Sequence, residues 1–361
     1  MNDANELISF IASMSGEGNL RVEENLGEGY VRLRVSEAER RQAKHDIQHV
    51  EDIVIEMLRN ARDAGADKVY LATTKEDGVR TLVFLDNGSG VPQDMQERIF
   101  DARVTSKLES MKMDRWGVHG RGMALFSIKQ NTDEARVVAS DVDLGSVFKV
   151  SVDTDRLGER ADQSSWPQAV KDEDGRYVCA RGPHNIIRAA CEFALEELRA
   201  CDVYLGSPSE IAATLHAQAS SRLDASRLLF IDDEAELPVV DRLGLASDAE
   251  DFIRICSGLG LEMSERTAHR ILAGQIKPVR GVTARLLRER DSSSHASAPV
   301  DLAKDRRGLR IAKDDMAQFS RAVERDFNDL ASRYYLNLCG DPKIRVSRDR
   351  ITVTFDLAKE E

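Results

Sequence analysis

Two pairs of apolar segments, each joined by a short turn, constrain the fold of this 361-residue chain most strongly. The segments KVYLATT and TLVFLDN are separated by the turn KEDG, and ARVVAS and SVFKVSVD are separated by DVDLG. Such short connections join antiparallel strands, since a parallel crossover needs about a dozen residues or more. A long helix is predicted before them, from about Glu37 to Asp63. The pattern therefore predicts an α+β domain whose sheet is partly antiparallel.

The remainder of the chain divides into segments of different composition. Residues 156–183 are polar and contain glycine, which predicts a boundary after a first domain at 1–155. Residues 184–290 predict a mainly helical domain with a short β-like RLLFID, and DSSSHASAP at 291–299 predicts a Ser-rich linker. In 300–361, apolar residues three and four apart from Met316 to Leu338 predict one long amphipathic helix, and KIRVSRDRITVTFDL predicts a β-hairpin.

Composition limits the class of protein. The formal charge is −12, with 42% hydrophobic and 32% charged residues, which is typical of soluble chains. No apolar run approaches the roughly 18 residues of a membrane helix, and the start MNDANELISF has no basic region typical of a signal peptide. The five cysteines are scattered without CxxC spacing. We therefore expect a cytoplasmic protein with reduced thiols, no zinc site and no membrane partner.

The helical segment IEMLRNARDAGA carries polar residues where a core helix would be apolar. Glu56 and Asn60 lie four residues apart and so point to the same side, and Asp63 continues their stripe. Ile55 and Leu58 lie on the neighbouring apolar stripe. The polar stripe either faces solvent or holds a ligand.

Two glycine-containing segments follow this helix. In FLDNGSGVP, Asp86 ends an apolar strand, where its carboxylate can accept from an exocyclic amine such as that of adenine, and glycines allow close approach of a flat base. In WGVHGRGMALFSI, a glycine-rich loop enters an apolar helix, whose first N–H groups are suited to binding phosphate. The loop lacks the lysine of a Walker motif.

The order of these motifs resembles the GHKL superfamily of ATP-binding domains, which includes gyrase, the ninety-kilodalton heat-shock chaperone, histidine kinases and MutL. The resemblance covers about residues 37–155. ExxxNARDAGA is similar to the N box, DNGSG to the first glycine box, RIFDARVTSK to the lid entry, GVHGRGMAL to the second glycine box and LGSVFKVSV to the closing strand. It implies a two-layer α/β sandwich of GHKL (Bergerat) type, here followed by a mainly helical C-terminal region.

The resemblance also implies roles for individual residues. Glu56 would be the general base that orients the attacking water, Asn60 would hold Mg²⁺ at the phosphates, and Asp86 would bind the adenine amine. The other expected nucleotide contacts are Gly88 and Gly90 beside the base, Asp63 and Ser146 around it, Lys107 in the lid, and Gly117, Gly120, Arg121 and Gly122 in the phosphate loop.

The function implied is Mg²⁺-dependent binding and hydrolysis of ATP, with a lid at 100–122 that closes on the nucleotide. A homodimer is expected by analogy, through the N-terminal segment or a helix at 314–339. A protein kinase of histidine or anti-sigma type is an alternative. His45 and His49 are not expected to be phosphoacceptors, because too little chain precedes the N box for an acceptor helix pair.

A second alternative is a nucleotide-gated DNA-binding regulator with little hydrolysis. The pattern of residues 251–278 predicts a helix, a glycine turn and a second helix. Within it, SERTAHRILAG resembles the recognition helix of a helix-turn-helix domain. In that case Arg266, His269 and Arg270 would face DNA. The same residues could instead be the basic polar face of a small helical bundle, so a DNA or protein partner through the C-terminal region stays open.

Overall fold

The computed structural model describes residues 22–106, 112–119, 122–223, 231 and 233–287, together with several positions between 316 and 359. By its internal contacts the chain divides into two compact units, Met1–Ser292 and Ser293–Glu361. The division falls inside the predicted linker at 291–299. Two further segments lie outside the described residues: RLLFID, apart from Ile231, and the N-terminal ELISFIASM, whose apolar spacing predicts a short helix.

The first unit contains strands and helices in alternating groups. Its strands are β1 (Val22–Gly27), β2 (Tyr30–Leu33), β3 (Lys68–Glu76), β4 (Val79–Asp86), β5 (Val104–Thr105), β6 (Lys112–Asp114), β7 (Gly117–His119), β8 (Glu134–Ser140), β9 (Ser146–Asp153), β10 (Gln168–Lys171), β11 (Tyr177–Arg181) and β12 (Asp202–Gly206). Its helices are α1 (Glu37–Asp46), α2 (Val50–Asp63), α3 (Ala124–Asn131), α4 (Ile186–Glu196), α5 (Pro208–Arg222), α6 (Ala249–Gly258) and α7 (Glu265–Leu272). Residues 282–287 are also helical.

The central sheet has five strands in the order β12-β3-β4-β9-β8. The β3–β4, β4–β9 and β8–β9 pairs are antiparallel, and β12 runs parallel to β3. The two predicted strand pairs and the partly antiparallel sheet are therefore confirmed. A smaller sheet of order β1-β2-β5 includes Tyr30–Leu33, which lies in the segment GYVRLRVS, whose alternation of apolar and polar residues is typical of a strand.

Both faces of the central sheet are buried. Val69 and Leu71 of β3 pack in one core with α2, α3 and α4, whereas Tyr70 and Ala72 pack in a second core with α5, α6 and α7. Successive strand residues point to opposite faces, so the continuous apolar strands supply both cores. The two-layer sandwich is present, and the following helical region forms a third layer on its other face.

The predicted boundary at 156–183 does not separate two compact units. It contains the β10–β11 hairpin, and β12, which follows it, hydrogen-bonds along β3 from Asp202 to Gly206. Residues on both sides of the segment therefore belong to the unit Met1–Ser292. Its polar composition reflects an exposed hairpin, because most residues of β10 and of the turn that follows are exposed.

The single helix predicted from Glu37 to Asp63 is wrong, because the chain breaks it into α1 and α2. Ile47 and His49 have extended backbone conformations between them. The Asp52 carboxylate accepts from the backbone N–H groups of Gln48 and His49 at 3.0 and 2.9 Å. A side chain that satisfies these donors allows a new helix to begin at Val50.

The second unit is described at fewer positions. β14 (Lys343–Val346) pairs antiparallel with β15 (Ile351–Thr354), in agreement with the predicted hairpin. Met316, Phe319, Val323 and Phe327 are helical, but β13 (Leu336–Leu338) pairs with β16 (Leu357–Lys359). The predicted helix therefore does not extend to Leu338. Within the described parts of the chain, no helix has the length and apolar character needed to cross a membrane.

Candidate functional site

A cavity of about 590 Å³ lies between α2, the adjoining ends of β4 and β9, and the segment that leads into α3. It is partly open, and polar and apolar side chains share its wall. Seven of the residues predicted from sequence line it, namely Glu56, Asn60, Asp63, Asp86, Gly90, Gly122 and Ser146. Residues that are distant in the chain thus meet at one site.

Strand register explains how Asp86 and Ser146 come together. They lie directly opposite each other on β4 and β9, so their side chains point to the same face of the sheet, with their Cβ atoms about 5 Å apart. Asp86 is 4% exposed, and its Oδ1 accepts from the Gly88 N–H at 2.8 Å. The hydroxyl of Ser140 bonds to Ser146 and accepts from the Val91 N–H. The cavity thus ends in a buried carboxylate beside hydroxyl groups, which suits a ligand with N–H donors.

Glycine is required where the chain turns around this carboxylate. Gly90 has a φ of +71°, and a Cβ there would lie 1.8 Å from the carbonyl oxygen of Asp141. Gly88 lies against Ala64, whose carbonyl oxygen would be 2.8 Å from a Cβ at that position. Gly90 therefore lines the cavity, whereas Gly88 is constrained by contact with the end of α2.

The opposite end of the cavity is formed where α3 begins. Gly122 has a φ of +67°, and its carbonyl accepts from the Arg103 N–H at 2.8 Å. Gly122, Met123 and Ala124 all line the cavity. Backbone N–H groups in the first turn of a helix have no partner within the helix, so this end is suited to an anion.

Asn60 and Glu56 face the cavity from successive turns of α2. The side-chain nitrogen of Asn60 is buried and has no hydrogen-bond partner among the described residues. An amide placed in this way can turn an oxygen or a nitrogen to a ligand. Mg²⁺ prefers oxygen ligands and keeps several waters, so a single amide oxygen beside a phosphate-sized space fits the group.

Charged residues form a network behind Glu56. Arg59 donates a hydrogen bond to Glu56, and Asp114 accepts hydrogen bonds from both Arg59 and Arg62. Arg62 also donates to Asp63. Burial would lower the pKa of Arg62, but the hydrogen bonds and charge of Asp63 and of other nearby acids outweigh burial and raise that pKa. The neighbouring acids thus keep Arg62 charged although its side chain is largely buried.

The N-terminal segment supplies residues that the sequence did not predict for the site. Tyr30, Gln42 and Asp46 line the cavity. Burial raises the pKa of Tyr30, although a hydrogen bond with Ser106 opposes the shift, so the phenol remains neutral. No local motif marks these residues. Arg59 was also missed, but its i, i+3 spacing from Glu56 is a signal that could have found it.

The structure describes only part of the predicted phosphate loop and lid. Lys107, Gly120 and Arg121 lie outside the described residues. Gly117 is the first residue of β7, which pairs with β6 as a short hairpin. The phosphate-loop roles of these residues, and the lid role of Lys107, stay predictions.

The predicted helix, turn and helix at 251–278 correspond to α6 and α7. Ala268 and Ile271 of α7 are buried in the second core, and Arg266, His269 and Arg270 are exposed beside a shallow groove. This geometry is compatible with both predicted alternatives, the recognition helix and the basic face of a bundle.

Comparison with known proteins agrees with this geometry. Residues 47–158 match the family model of histidine kinase-, DNA gyrase B-, and HSP90-like ATPases, which confirms the GHKL resemblance of that part of the chain.

Free cysteines occur at the described positions Cys179, Cys191, Cys201 and Cys256.

The curated relatives include DNA mismatch repair proteins MutL. That of Thermodesulfovibrio yellowstonii is 33% identical over 98 residues, which are 26% of this chain and 18% of the relative. That of Staphylococcus aureus strain Newman is 34% identical over 113 residues, 28% of this chain and 17% of the relative. The chain thus spans less than a fifth of the length of these relatives. A crystal structure of full-length ShkA in complex with AMPPNP aligns with 57% of this chain and 46% of its own, at 15% identity and a TM-score of 0.22.

Proposed function

We propose that this protein is a Mg²⁺-dependent ATPase whose nucleotide state acts as a conformational switch. The observation that carries the proposal is the single cavity that brings Glu56, Asn60 and Asp86 together from separate elements. The match of residues 47–158 to an ATPase family model supports it.

In the proposed complex, Asp86 accepts a hydrogen bond from the adenine amine, and Gly90 leaves room for the base. The first N–H groups of α3 bind the phosphates. Asn60 would hold Mg²⁺, which supplies neutralising charge at the phosphates.

Hydrolysis then requires a base for the attacking water. Water attacks the γ-phosphorus, the bond to the β–γ bridging oxygen breaks, and ADP and phosphate leave. Glu56 accepts the proton that the water loses. A positioned carboxylate of this kind contributes about 10²–10⁴-fold to the rate.

The cavity wall explains why nucleotide binding would change the conformation. Tyr30, Thr105 and Ser106 on one side belong to different elements from Glu56 and Asn60 on α2. A ligand that contacts both sides draws them together, which is the proposed closure of the lid at 100–122. In this proposal the γ-phosphate of ATP contacts both sides, so ATP and ADP would favour different conformations.

The test compares the wild type with Glu56→Ala for binding of ATP with Mg²⁺ and for phosphate release. We expect both to bind with similar affinity, and phosphate release to fall about 10²–10⁴-fold in the variant. Glu76→Ala, which removes an exposed acid at the far end of β3, is the control and should match the wild type.

Other results would contradict the proposal in distinct ways. If the wild type fails to bind ATP, the proposed nucleotide site is wrong. If it binds ATP without phosphate release, the protein is a binding switch and not an ATPase. If γ-labelled ATP transfers its label to protein, the kinase alternative replaces hydrolysis.

A further inference from the structure

The carboxylate of Glu56 is held by an arginine on its own helix. Arg59 Nη1 lies 2.7 Å from Glu56 Oε1, and the Arg59 side chain is 3% exposed. Glu56 itself is 23% exposed and borders two cavities, the one described above and a smaller one of about 260 Å³ beside α4. A buried arginine thus fixes the orientation of a carboxylate that solvent can still reach.

Arg59 is held in turn by an acid from the β6–β7 hairpin. Its Nε and Nη2 donate to Oδ2 and Oδ1 of Asp114 at 2.9 and 3.0 Å, a two-point arrangement that fixes the guanidinium plane. Asp114 is 6% exposed, and it also accepts from Arg62 and from the Trp116 N–H. The hairpin is 55 residues from Arg59 in sequence and lies within the predicted lid.

We propose that Arg59 and Asp114 are positioning residues that make the orientation of Glu56 depend on the place of the β6–β7 hairpin. The inference rests on the proposed ATPase function, in which Glu56 is the base. Neither Arg59 nor Asp114 needs to touch the nucleotide for this role.

The geometry of Arg59 explains the dependence. Two of its nitrogens bond to Asp114, and the third bonds to Glu56. If the hairpin moves, Arg59 either follows Asp114 and turns away from Glu56, or stays and pairs with Glu56 more fully. A carboxylate beside an arginine ionises at lower pH and is a weaker base. Hairpin position thus changes both the direction and the basicity of Glu56.

The network also extends away from the cavity. Arg62 Nη1 lies 3.2 Å from Oδ2 of Asp114 and 3.1 Å from Oε1 of Glu197, which follows α4. Because Arg62 shares Asp114 with Arg59, the hairpin is tied to α2 and to the end of α4 at the same point.

The experiment measures kcat for ATP hydrolysis against pH, together with ATP affinity, for Arg59→Gln and Asp114→Asn. Arg59→Gln removes a cation that lies 2.7 Å from Glu56, so the acid limb of its pH profile should shift to higher pH. In Asp114→Asn, Arg59 loses a charged partner and is drawn more strongly to Glu56, so the acid limb should shift to lower pH and kcat should drop about tenfold. ATP affinity should change little in both.

Arg80→Gln is the matched control. Arg80 is also a buried arginine bonded to a glutamate, with its Nε 2.7 Å from Glu159, but it lies on β4 away from the cavity. Loss of the Arg80 charge should lower the stability of the protein and leave the acid limb of the kcat–pH profile at the wild-type pH. Arg59→Lys keeps the charge without the planar fork, so it should keep the wild-type limb at a reduced kcat.

The outcomes separate the two proposals. If the wild type hydrolyses ATP through Glu56 but the Arg59 and Asp114 variants keep its pH limb and kcat, the inference is overturned and the ATPase proposal stands. If the wild type does not bind or hydrolyse ATP, the ATPase proposal itself fails. Should Arg59→Gln not fold, Arg59→Lys and Asp114→Glu decide, because an unchanged kcat in both would overturn the inference.

Discussion

Gly90 shows how strictly one residue can constrain the candidate site. An alanine there would combine a φ of +71° with a Cβ placed 1.8 Å from the Asp141 carbonyl oxygen. We expect Gly90→Ala to lower the free energy of unfolding by about 2–5 kcal/mol, since left-handed backbone costs about 1–2 kcal/mol and overpacking about 1–3 kcal/mol. Loss of ATP binding should accompany it. Urea unfolding and a binding titration measure the two effects.

Gly175→Ala separates the backbone effect from the contact. Gly175 has a φ of +76° in the β10–β11 turn, with no atom within 4 Å of an added Cβ. This variant should cost only about 1–2 kcal/mol and leave ATP binding unchanged. If both variants lost the same free energy of unfolding, the close approach of Gly90 to the Asp141 carbonyl would make no contribution to stability.

The site residues that could be predicted are those whose signal is local. Glu56 and Asn60 follow from their spacing on one helix, and Asp86 from its place at the end of an apolar strand. Asp114 could not be predicted, because its partner Arg59 is 55 residues away and only the fold brings the two together. Tyr30 lines the cavity from a strand whose own pattern shows only alternation.

At the scale of elements, the start of α2 depends on Asp52. Its carboxylate accepts from two backbone N–H groups ahead of the helix, one turn before Glu56. We expect Asp52→Ala to lower the free energy of unfolding by about 1 kcal/mol, as for other helix caps. Phosphate release should also fall, because fraying of the first turn loosens Glu56. Urea unfolding and steady-state phosphate release provide the measurements.

Asp248→Ala is the control for this effect. Asp248 caps α6 by accepting from the Asp251 N–H at 2.9 Å, away from the cavity. It should cost a similar free energy and leave phosphate release unchanged. A similar decrease in phosphate release in both variants would mean that general destabilisation, not the position of α2, controls activity.

Elements were predicted well where turns and periodicity agree. The pairs β3–β4 and β8–β9 each have a short turn between apolar segments, and both form. The break between α1 and α2 was missed because the helical period continues through Ile47. The break depends on the cap formed by Asp52. In the sequence this cap cannot be recognised, because an aspartate at position 52 is equally typical of the solvent-facing side of a continuous helix.

At the scale of the whole molecule, the third layer is the largest feature that sequence did not show. The run LVFL in β4 has no polar alternation, which is typical of a strand buried on both faces. That pattern indicates a second covering layer without identifying its source. The cover proves to be α5 to α7, where Phe252 and Leu259 are fully buried against the sheet's second face. Such packing depends on contacts between residues that are far apart in sequence.

The three-layer unit predicts cooperative unfolding, which two buried thiols can report. Cys179 lies in the first core and Cys256 in the second, and burial raises their thiol pKa values to about 11 and about 12. Because the thiolate is the reactive form, both should react slowly with iodoacetamide at pH 8 in the native state. Pulsed alkylation across a urea series, read by peptide mass spectrometry, measures each thiol separately.

We expect Cys179 and Cys256 to become reactive at the same urea concentration, because β12 and both faces of the sheet join the two cores in one unit. Alkylation in high urea gives the intrinsic rate of each thiol and corrects for local sequence. If Cys256 became reactive at lower urea than Cys179, α5 to α7 would open as a separate unit. The third layer would then be a detachable cover of the sheet, of the kind that a nucleotide-driven switch could release, and no longer part of its stable core.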